Sequence, residues 1–286
     1  MGSISLLKNR TSELKVRPVI HLIVLIILLA GLIVTSFYNE SQIKKLKEMS
    51  ENTAKTQQEL IQSQKDLENV VYSLMEETGL IAYWSFDSES TNDLKGNNHG
   101  VNLGAEYTQE SKIGGAYIFN GAEKIKVSNP TKLDLKDTSA TISAWIYTPD
   151  WSSMTSQYNG IITNYKETGP YEGYRLIINR VEVNGKITCS WNSGTYFVDS
   201  TSAIGNNEWY HIACVYDTSS QELRLYINGK LNNTKTDVPA ITTEQTNDLC
   251  IGSSNNEQYW NGLIDEIKIW NRALAPEEIK RLAKRD

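Results

Sequence analysis

Two acidic residues, Asp265 and Glu266, stand side by side in the apolar run "NGLIDEIKIW" near the C-terminus. Carboxylates in such a place do two kinds of work. A pair facing one sugar, roughly 5–10 Å apart, performs glycoside hydrolysis, and a cage of them with carbonyl and amide oxygens holds calcium. The run reads as a strand, in which successive side chains point to opposite faces. On that period the two acids do not converge on one substrate. Asp265 shares a face with Leu263, Ile267 and Ile269, where a carboxylate is costly unless hydrogen-bonded, paired or metal-bound. Glu266 shares the other face with Ile264, Lys268 and Trp270, and its pairing with Lys268 reads as solvated surface charge.

The remaining chemistry-bearing types are sparse. His211 in "EWYHIACVYD" is a candidate base, but no G-x-S-x-G nucleophile motif and no Gly-rich phosphate loop accompanies it. It reads as a structural histidine. The cysteines, Cys189, Cys214 and Cys250, form no CxxC and no Cys/His cluster, so their spacing offers no zinc site. Their odd number leaves two readings, one bridge such as Cys214–Cys250 or three small buried apolar residues. A net charge of -6 gives no electrostatic basis for binding nucleic acid.

Three kinds of segment must position these residues. Residues 19–37, "VIHLIVLIILLAGLIVTSF", are long enough to cross a hydrocarbon core of about 30 Å as a helix. Lys8, Arg10, Lys15 and Arg17 precede the run, which predicts a cytoplasmic N-terminus over 1–18 and an exported C-terminal part. No A-x-A site follows, so an uncleaved signal anchor is expected rather than a cleaved signal peptide. Residues 38–78 form a polar stretch without Gly or Pro. One heptad row there is Leu46, Thr53, Leu60, Leu67 and Leu74, and the other is Ile43, Ser50, Gln57, Gln64 and Val71. The spacing predicts a helical stalk, either a weak coiled coil that makes a homo-oligomer or a single solvated helix. Fully helical, it would reach about 60 Å.

Beyond Gly79 the composition changes, and all seven Trp residues lie there. Short alternating runs recur between Gly, Asn, Asp and Ser clusters, the pattern of an all-β sandwich. "ATISAWIY" turns Ile142, Ala144 and Ile146 one way and Ser143, Trp145 and Tyr147 the other. "EWYHIACVYD" and "QELRLYINGK" flank a short "TSS" hairpin. Trp84, Trp145, Trp209 and Trp270 fall in strand patterns and are expected in the core, with Trp260 also structural. One helix, Pro276 to about Lys284, closes the chain, with Pro at its first position and acids in its first turn.

The ordered series "GLIAYWSFD", "DLKGNNHGVNLGAEY", "KIGGAYIFNG", "ATISAWIYTPD", "EWYHIACVYD", "LRLYINGK" and "YWNGLIDEIKIWNRALAPEEI" resembles the LamG-like jelly-roll family of concanavalin A-like lectin/glucanase sandwiches. The resemblance covers residues 79–286. It departs at Ala275, where the family usually has Ser, so the last helix should lose about 1 kcal/mol of capping. It implies two antiparallel sheets with adjacent N- and C-terminal strands, and a structural calcium ion held by Asp87, Asp93, Asn97 and Asp265. It implies glycan or protein binding and leaves the ligand open. Related glucanases carry their acids as E-x-D-x-x-E, which is absent here, so a non-catalytic binding protein is expected before a glycosidase. The ligand candidates are the loop residues Trp151, Tyr158, Tyr171, Glu172, Trp191, Asn192 and Tyr196, with Asn159 beside them. The chain thus reads as a single-pass cell-surface protein whose exported head binds carbohydrate or, alternatively, another surface protein.

Overall fold

The computed structural model describes residues 21–27, 40–128, 130, 133–154, 156–166, 172–179, 185–192, 196–245, 247–254 and 258–284. Most of the predicted membrane span lies outside them. Residues 21–27 are helical and exposed, and among the described residues no helix is long and apolar enough to cross a membrane.

Helix α1 spans Glu40–Glu77, as its lack of Gly and Pro predicts. The chain divides into two compact units, Met1–Val70 and Val71–Asp286, so the last turns of α1 belong to the second. There the sandwich caps the helix. Trp270 Nε1 donates to the Glu76 carbonyl at 2.7 Å, and Arg272 donates to the Met75 and Thr78 carbonyls at 2.5 and 2.6 Å. They lie at the end of the helix, where its own i→i−4 bonds run out, and the Met75 carbonyl accepts from the Thr78 N–H as well, at 3.1 Å.

The second unit is a two-sheet sandwich. Its strands in chain order are β1 (Leu80–Trp84), β2 (Val101–Leu103), β3 (Glu106–Thr108), β4 (Ala116–Asn120), β5 (Lys124–Val127), β6 (Ala140–Thr148), β7 (Tyr158–Lys166), β8 (Glu172–Asn179) and β9 (Lys186–Trp191). They continue as β10 (Tyr196–Ala203), β11 (Glu208–Asp217), β12 (Glu222–Ile227), β13 (Lys230–Lys235), β14 (Leu249–Ile251), β15 (Ser253–Ser254), β16 (Gln258–Tyr259) and β17 (Asn261–Trp270). One sheet runs β13-β12-β11-β6-β17-β4-β3, with β1 also paired to β17. The other runs β10-β9-β8-β7-β14-β5-β2, and β15-β16 is a small hairpin. The first and last strands are neighbours, Trp84 opposite Ile267 and Leu80 opposite Trp270.

The core follows from alternation. Ile142, Ala144 and Ile146 of β6 are buried between the sheets with Ile212 and Cys214 of β11 and Ile264, Ile267 and Ile269 of β17. The disulfide joins Cys189 of β9 to Cys214 of β11, one from each sheet, with Cα atoms 6.0 Å apart. Cys250 is the free, buried thiol. This corrects the expected Cys214–Cys250 option: Cys250 pairs across strands with Thr163 and Lys126, one step out of phase with the core residue Ile251. Helix α2 (Pro276–Leu282) lies on the outer face of the β1-containing sheet, where Ile279 and Leu282 pack with Ala213, Val215, Tyr226, Trp270 and Leu274. Ala275 provides no side-chain cap, as expected, yet its own N–H donates to Glu278 Oε2 at 2.8 Å, and Arg272 grips the same carboxylate.

Candidate functional site

The acids of β17 behave differently from a period-two strand. Glu266 has φ 51°, in the left-handed region, and the register against β6 slips by one residue, Asp265 facing Trp145 but Lys268 facing Ser143. This is a β-bulge. It shifts the phase, so Ile264, Ile267 and Ile269 are core while Asp265 and Lys268 both lie on the outer face with Trp145 and Ser143. The expected grouping of Asp265 with Ile267 and Ile269 is therefore corrected. The Glu266–Lys268 pair forms, but it is sealed rather than solvated, with the side chains 4% and 3% exposed. Lys268 Nζ donates to Glu266 Oε2 at 2.9 Å and to Glu76 Oε1 at 3.3 Å, and it sits 4.5 Å from the Tyr83 ring centroid. Tyr83 donates to Glu266 Oε1 at 2.6 Å. These bonds hold a residue with a Cβ in a conformation that disfavours one.

Asp265 is fully buried. Its Oδ2 accepts from the N–H groups of Lys112 and Ile113 and its Oδ1 from that of Glu266. Burial nevertheless pushes its carboxyl up to about 7, and the Glu266 and Asp87 charges push the same way against the backbone donors. Asp87 accepts from the Gly115 N–H, so both acids hold the loop 111–115. Asp93 is used elsewhere. Its two oxygens accept four bonds, from the N–H groups of Tyr83, Lys95 and Asn98 and from Asn98 Nδ2, which pin the loop 93–98. Asn97 is exposed; the buried amide is its neighbour Asn98. Four accepted bonds fill the lone pairs of the Asp93 carboxylate. Among the described residues no three acids, histidines or cysteines gather as a metal site. Of the four residues expected to hold calcium, Asp87 and Asp265 bind the backbone of the loop 111–115 and Asp93 binds that of the loop 93–98, which contains Asn97.

His211 shares this outer face, its ring 5.4 Å from Trp145. Burial, with the Lys268 charge beside it, lowers its pKa to about 3, so it stays neutral. Trp209, expected in the core, is half-buried on the same face, its ring 5.7 Å from that of Tyr147. Position 209 lies one residue out of phase with Ile212 and Cys214, a signal present in the alternation of β11.

Of the loop candidates, Trp191 is core: 1% exposed, it stacks between Tyr174 and Tyr216 at 6.0 and 4.7 Å. It ends strand β9 rather than standing in a loop, which corrects its expected role. Asn192 is structural too, its Nδ2 donating to the Ala240 carbonyl and its N–H to that of Gly173. Tyr196 packs its ring partly into the core opposite Trp191. Asn159 is buried and its Nδ2 donates to the Ser156 carbonyl. Trp151 opens a short 3-10 turn capped by Asp150 and packs over Gly185, where a Cβ would strike its ring. Tyr171 and the side chain of Glu172 lie outside the described residues. Tyr158 remains on the outer face of the seven-stranded sheet, its ring 5.2 Å from the Arg175 guanidinium.

That face carries a feature the loop-based reading missed. One row crosses all seven strands in register: Phe197, Ser190, Arg175, Thr163, Cys250, Lys126 and Val101. The adjacent row on the inner face is Val198, Cys189, Leu176, Ile162, Ile251 and Ile125, all core. The outer row therefore points away from the core. An exposed ring, Phe197 at 49%, starts it, and a hydroxyl floor follows. Ser190 is 2% exposed and its Oγ has no hydrogen-bond partner among the described residues. Thr188, one step along, donates to Asp199 Oδ1 at 2.5 Å, and Lys126 pairs with Asp248 at 2.6 Å. Ser253 folds over part of the row, accepting from Thr163 Oγ1 at 2.8 Å, and its backbone occupies the space a Cβ on Gly160 would need. An aromatic ring for a sugar's C–H face, with hydroxyls, a guanidinium and carboxylates for its hydroxyls, is the chemistry of carbohydrate recognition.

The fold has solved counterparts. Domain 4 of AbnA, a GH43 extracellular arabinanase from Geobacillus stearothermophilus, in complex with arabinotriose, matches with TM-score 0.57 and 23% identity over 72% of this chain and 98% of that domain. The binding domain of Paraclostridial Mosquitocidal Protein 1 matches with TM-score 0.58 and 17% identity, covering 72% of this chain and 52% of that one. The botulinum neurotoxin serotype D ligand binding domain, in complex with N-acetylneuraminic acid, gives 0.56 and 16%, covering 73% and 51%. This chain thus spans about half the length of the two toxin domains. No curated protein sequence matches the chain. The family model described as the concanavalin A-like lectin/glucanases superfamily matches residues 119–280, more than half of the sequence, and the chain belongs to that superfamily.

Proposed function

We propose that residues 79–286 are a non-catalytic carbohydrate-binding head whose ligand lies along the outer row of the seven-stranded sheet. The observation that carries this reading is the row itself, with Phe197 at its rim, the buried Ser190 hydroxyl, without a partner among the described residues, on its floor and Arg175 between Tyr158 and Ser190. The sugar ligands named for the arabinanase domain and the serotype D toxin domain support the ligand class. The acids of β17 are consumed in structural bonds, which favours binding over hydrolysis. The head is exported behind the anchor at residues 19–37. The Cys189–Cys214 bridge supports this, since such bonds persist in oxidising compartments.

A glycan array probed with the full chain, followed by titration of the best ligand, tests the reading. Phe197→Ala and Arg175→Ala should each weaken binding about tenfold or more, with Trp209→Ala unchanged. No bound glycan, or retention of affinity in both row variants, would overturn it. A second reading, adhesion to a protein, is favoured by the half-buried Tyr147–Trp209 pair beside Leu263 on the other sheet. Loss of partner binding in Trp209→Ala, with Phe197→Ala silent, would establish it instead.

A further inference from the structure

The sandwich holds the end of α1 through Tyr72, Glu76 and Glu77, the last paired with Lys95. Arg281 lies over the Tyr72 ring, 3.1 Å from its centroid, and Glu76 takes the Lys268 ammonium. Tyr72 and Glu76 are four residues apart and so share one helix face. The opposite face stays bare: Val71 is 45% exposed, Leu74 65% and Met75 42%. The bare face continues up the helix, with Leu67 65%, Leu60 59% and Ile61 49% exposed. Val71, Leu74, Leu67 and Leu60 belong to the two heptad rows and Met75 and Ile61 flank them, while Tyr72 and Glu76 belong to neither row.

We propose that this face is the seam of a parallel, in-register homodimer, its occupant being α1 of a second copy of this chain. Three features of the sequence fit that occupant. The row holding Ile43 and Val71 is β-branched where it is apolar, and the facing row is Leu at 46, 60, 67 and 74, the combination that favours two parallel strands. Gln57 and Gln64 fall in the first row, where in a parallel register each meets its own counterpart. A side-chain amide both donates and accepts, so like can bond to like. Charge is compatible as well. The positions flanking the seam that would meet across it pair Met49 with Ala54, Thr56 with Ile61, Ser63 with Glu68 and Val70 with Met75, so no like charges face each other. A parallel arrangement also brings both apolar N-terminal runs to the same end. The head leaves the seam uncovered at its C-terminal end, so it does not compete with the second helix.

The consequence for binding rests on the proposed sugar site: two heads on one stem would engage a multivalent surface by avidity, raising apparent affinity by on the order of 10²–10⁴. The oligomer itself is tested without any sugar. The full chain in detergent micelles should have twice the chain mass by light scattering, and Leu67→Glu should reduce it to a monomer. Under mild oxidation Leu67→Cys should give a disulfide-linked dimer and Lys65→Cys, on the outer side of the helix, should not. A wild-type monomer, an unchanged mass in Leu67→Glu, or equal cross-linking at both positions would overturn the proposal. Far-ultraviolet circular dichroism of Leu67→Glu checks that its head remains folded, since the substitution lies outside the sandwich.

Discussion

The two outer faces of the sandwich are built by the same alternation and put to opposite uses. On the eight-stranded sheet, α2 and the last turn of α1 close over Trp270, Lys268 and Glu266, and Glu266, Lys268 and Tyr83 are spent on one another, while the buried His211 Nδ1 on that face has no partner among the described residues. On the seven-stranded sheet the outward row is polar from Ser190 to Lys126, is folded over in part by Ser253, and keeps a hydroxyl without a partner among the described residues. Polarity on a strand therefore does not distinguish a binding face from a structural one. What distinguishes them is that the charged groups Glu266, Lys268 and Asp265 of the structural face find their partners within the fold and are covered by α1, α2 and the loop 111–115.

The largest effect that would break this contrast is at Lys268. Removing one member of a buried ion pair leaves an uncompensated charge, which costs about 3–5 kcal/mol. Lys268→Met should lose that much in chemical denaturation, and Lys268→Met/Glu266→Leu should recover much of it. A loss below about 1 kcal/mol in the single variant would mean that water reaches the pair and that the face is not closed.

Asp265 sharpens the contrast through pH. Its folded carboxyl titrates near 7, above the ordinary value near 4, because burial disfavours its charge. The native state therefore holds this proton through a range in which the unfolded chain has lost it. Its contribution to stability is complete below about pH 4 and is lost as pH rises toward 7. Melting measured from pH 4.5 to 8 should fall less steeply in Asp265→Asn than in the wild type. Equal slopes would mean that the carboxylate is ionised throughout, held charged by the backbone N–H groups of Lys112, Ile113 and Glu266.

Much of this was legible from sequence. Alternation placed Ile142, Ala144 and Ile146 inward, the Gly- and Pro-free stretch gave α1, and the motif series gave the sandwich with adjacent first and last strands. What failed was whatever depends on register. Nothing in "LIDEIKIW" marks a bulge, since Glu266 takes a backbone conformation in which glycine is the usual cue. One slipped residue reversed the face of Asp265. The pairing of Cys189 with Cys214 required knowing which strands of different sheets lie opposite each other. The row from Phe197 to Val101 gathers residues from seven strands, so no local spacing could reveal it. Trp191 misled because the Asn-Ser-Gly after it looks like a loop, while the tryptophan itself is the last residue of β9.

Ala275→Ser gives a smaller effect and a cleaner test of how the closed face is held. Residue 275 sits at the helix start in an extended conformation, φ -71° and ψ 154°, suited to a capping side chain. The Glu278 half of the capping box is in place through the Ala275 N–H, and Arg272 fixes that carboxylate. A serine hydroxyl would supply the other half, accepting from the Glu278 N–H, for a gain of about 0.5–1 kcal/mol. The gain should appear in denaturation midpoints without any change in glycan binding, because α2 covers only the eight-stranded sheet. Phe197→Ala should do the reverse, moving stability by no more than about 0.5 kcal/mol, as for other surface positions, while weakening binding. If Ala275→Ser altered sugar affinity, or Phe197→Ala cost as much stability as a core truncation, the two faces would be energetically coupled, and the division between a structural face and a binding face would fail.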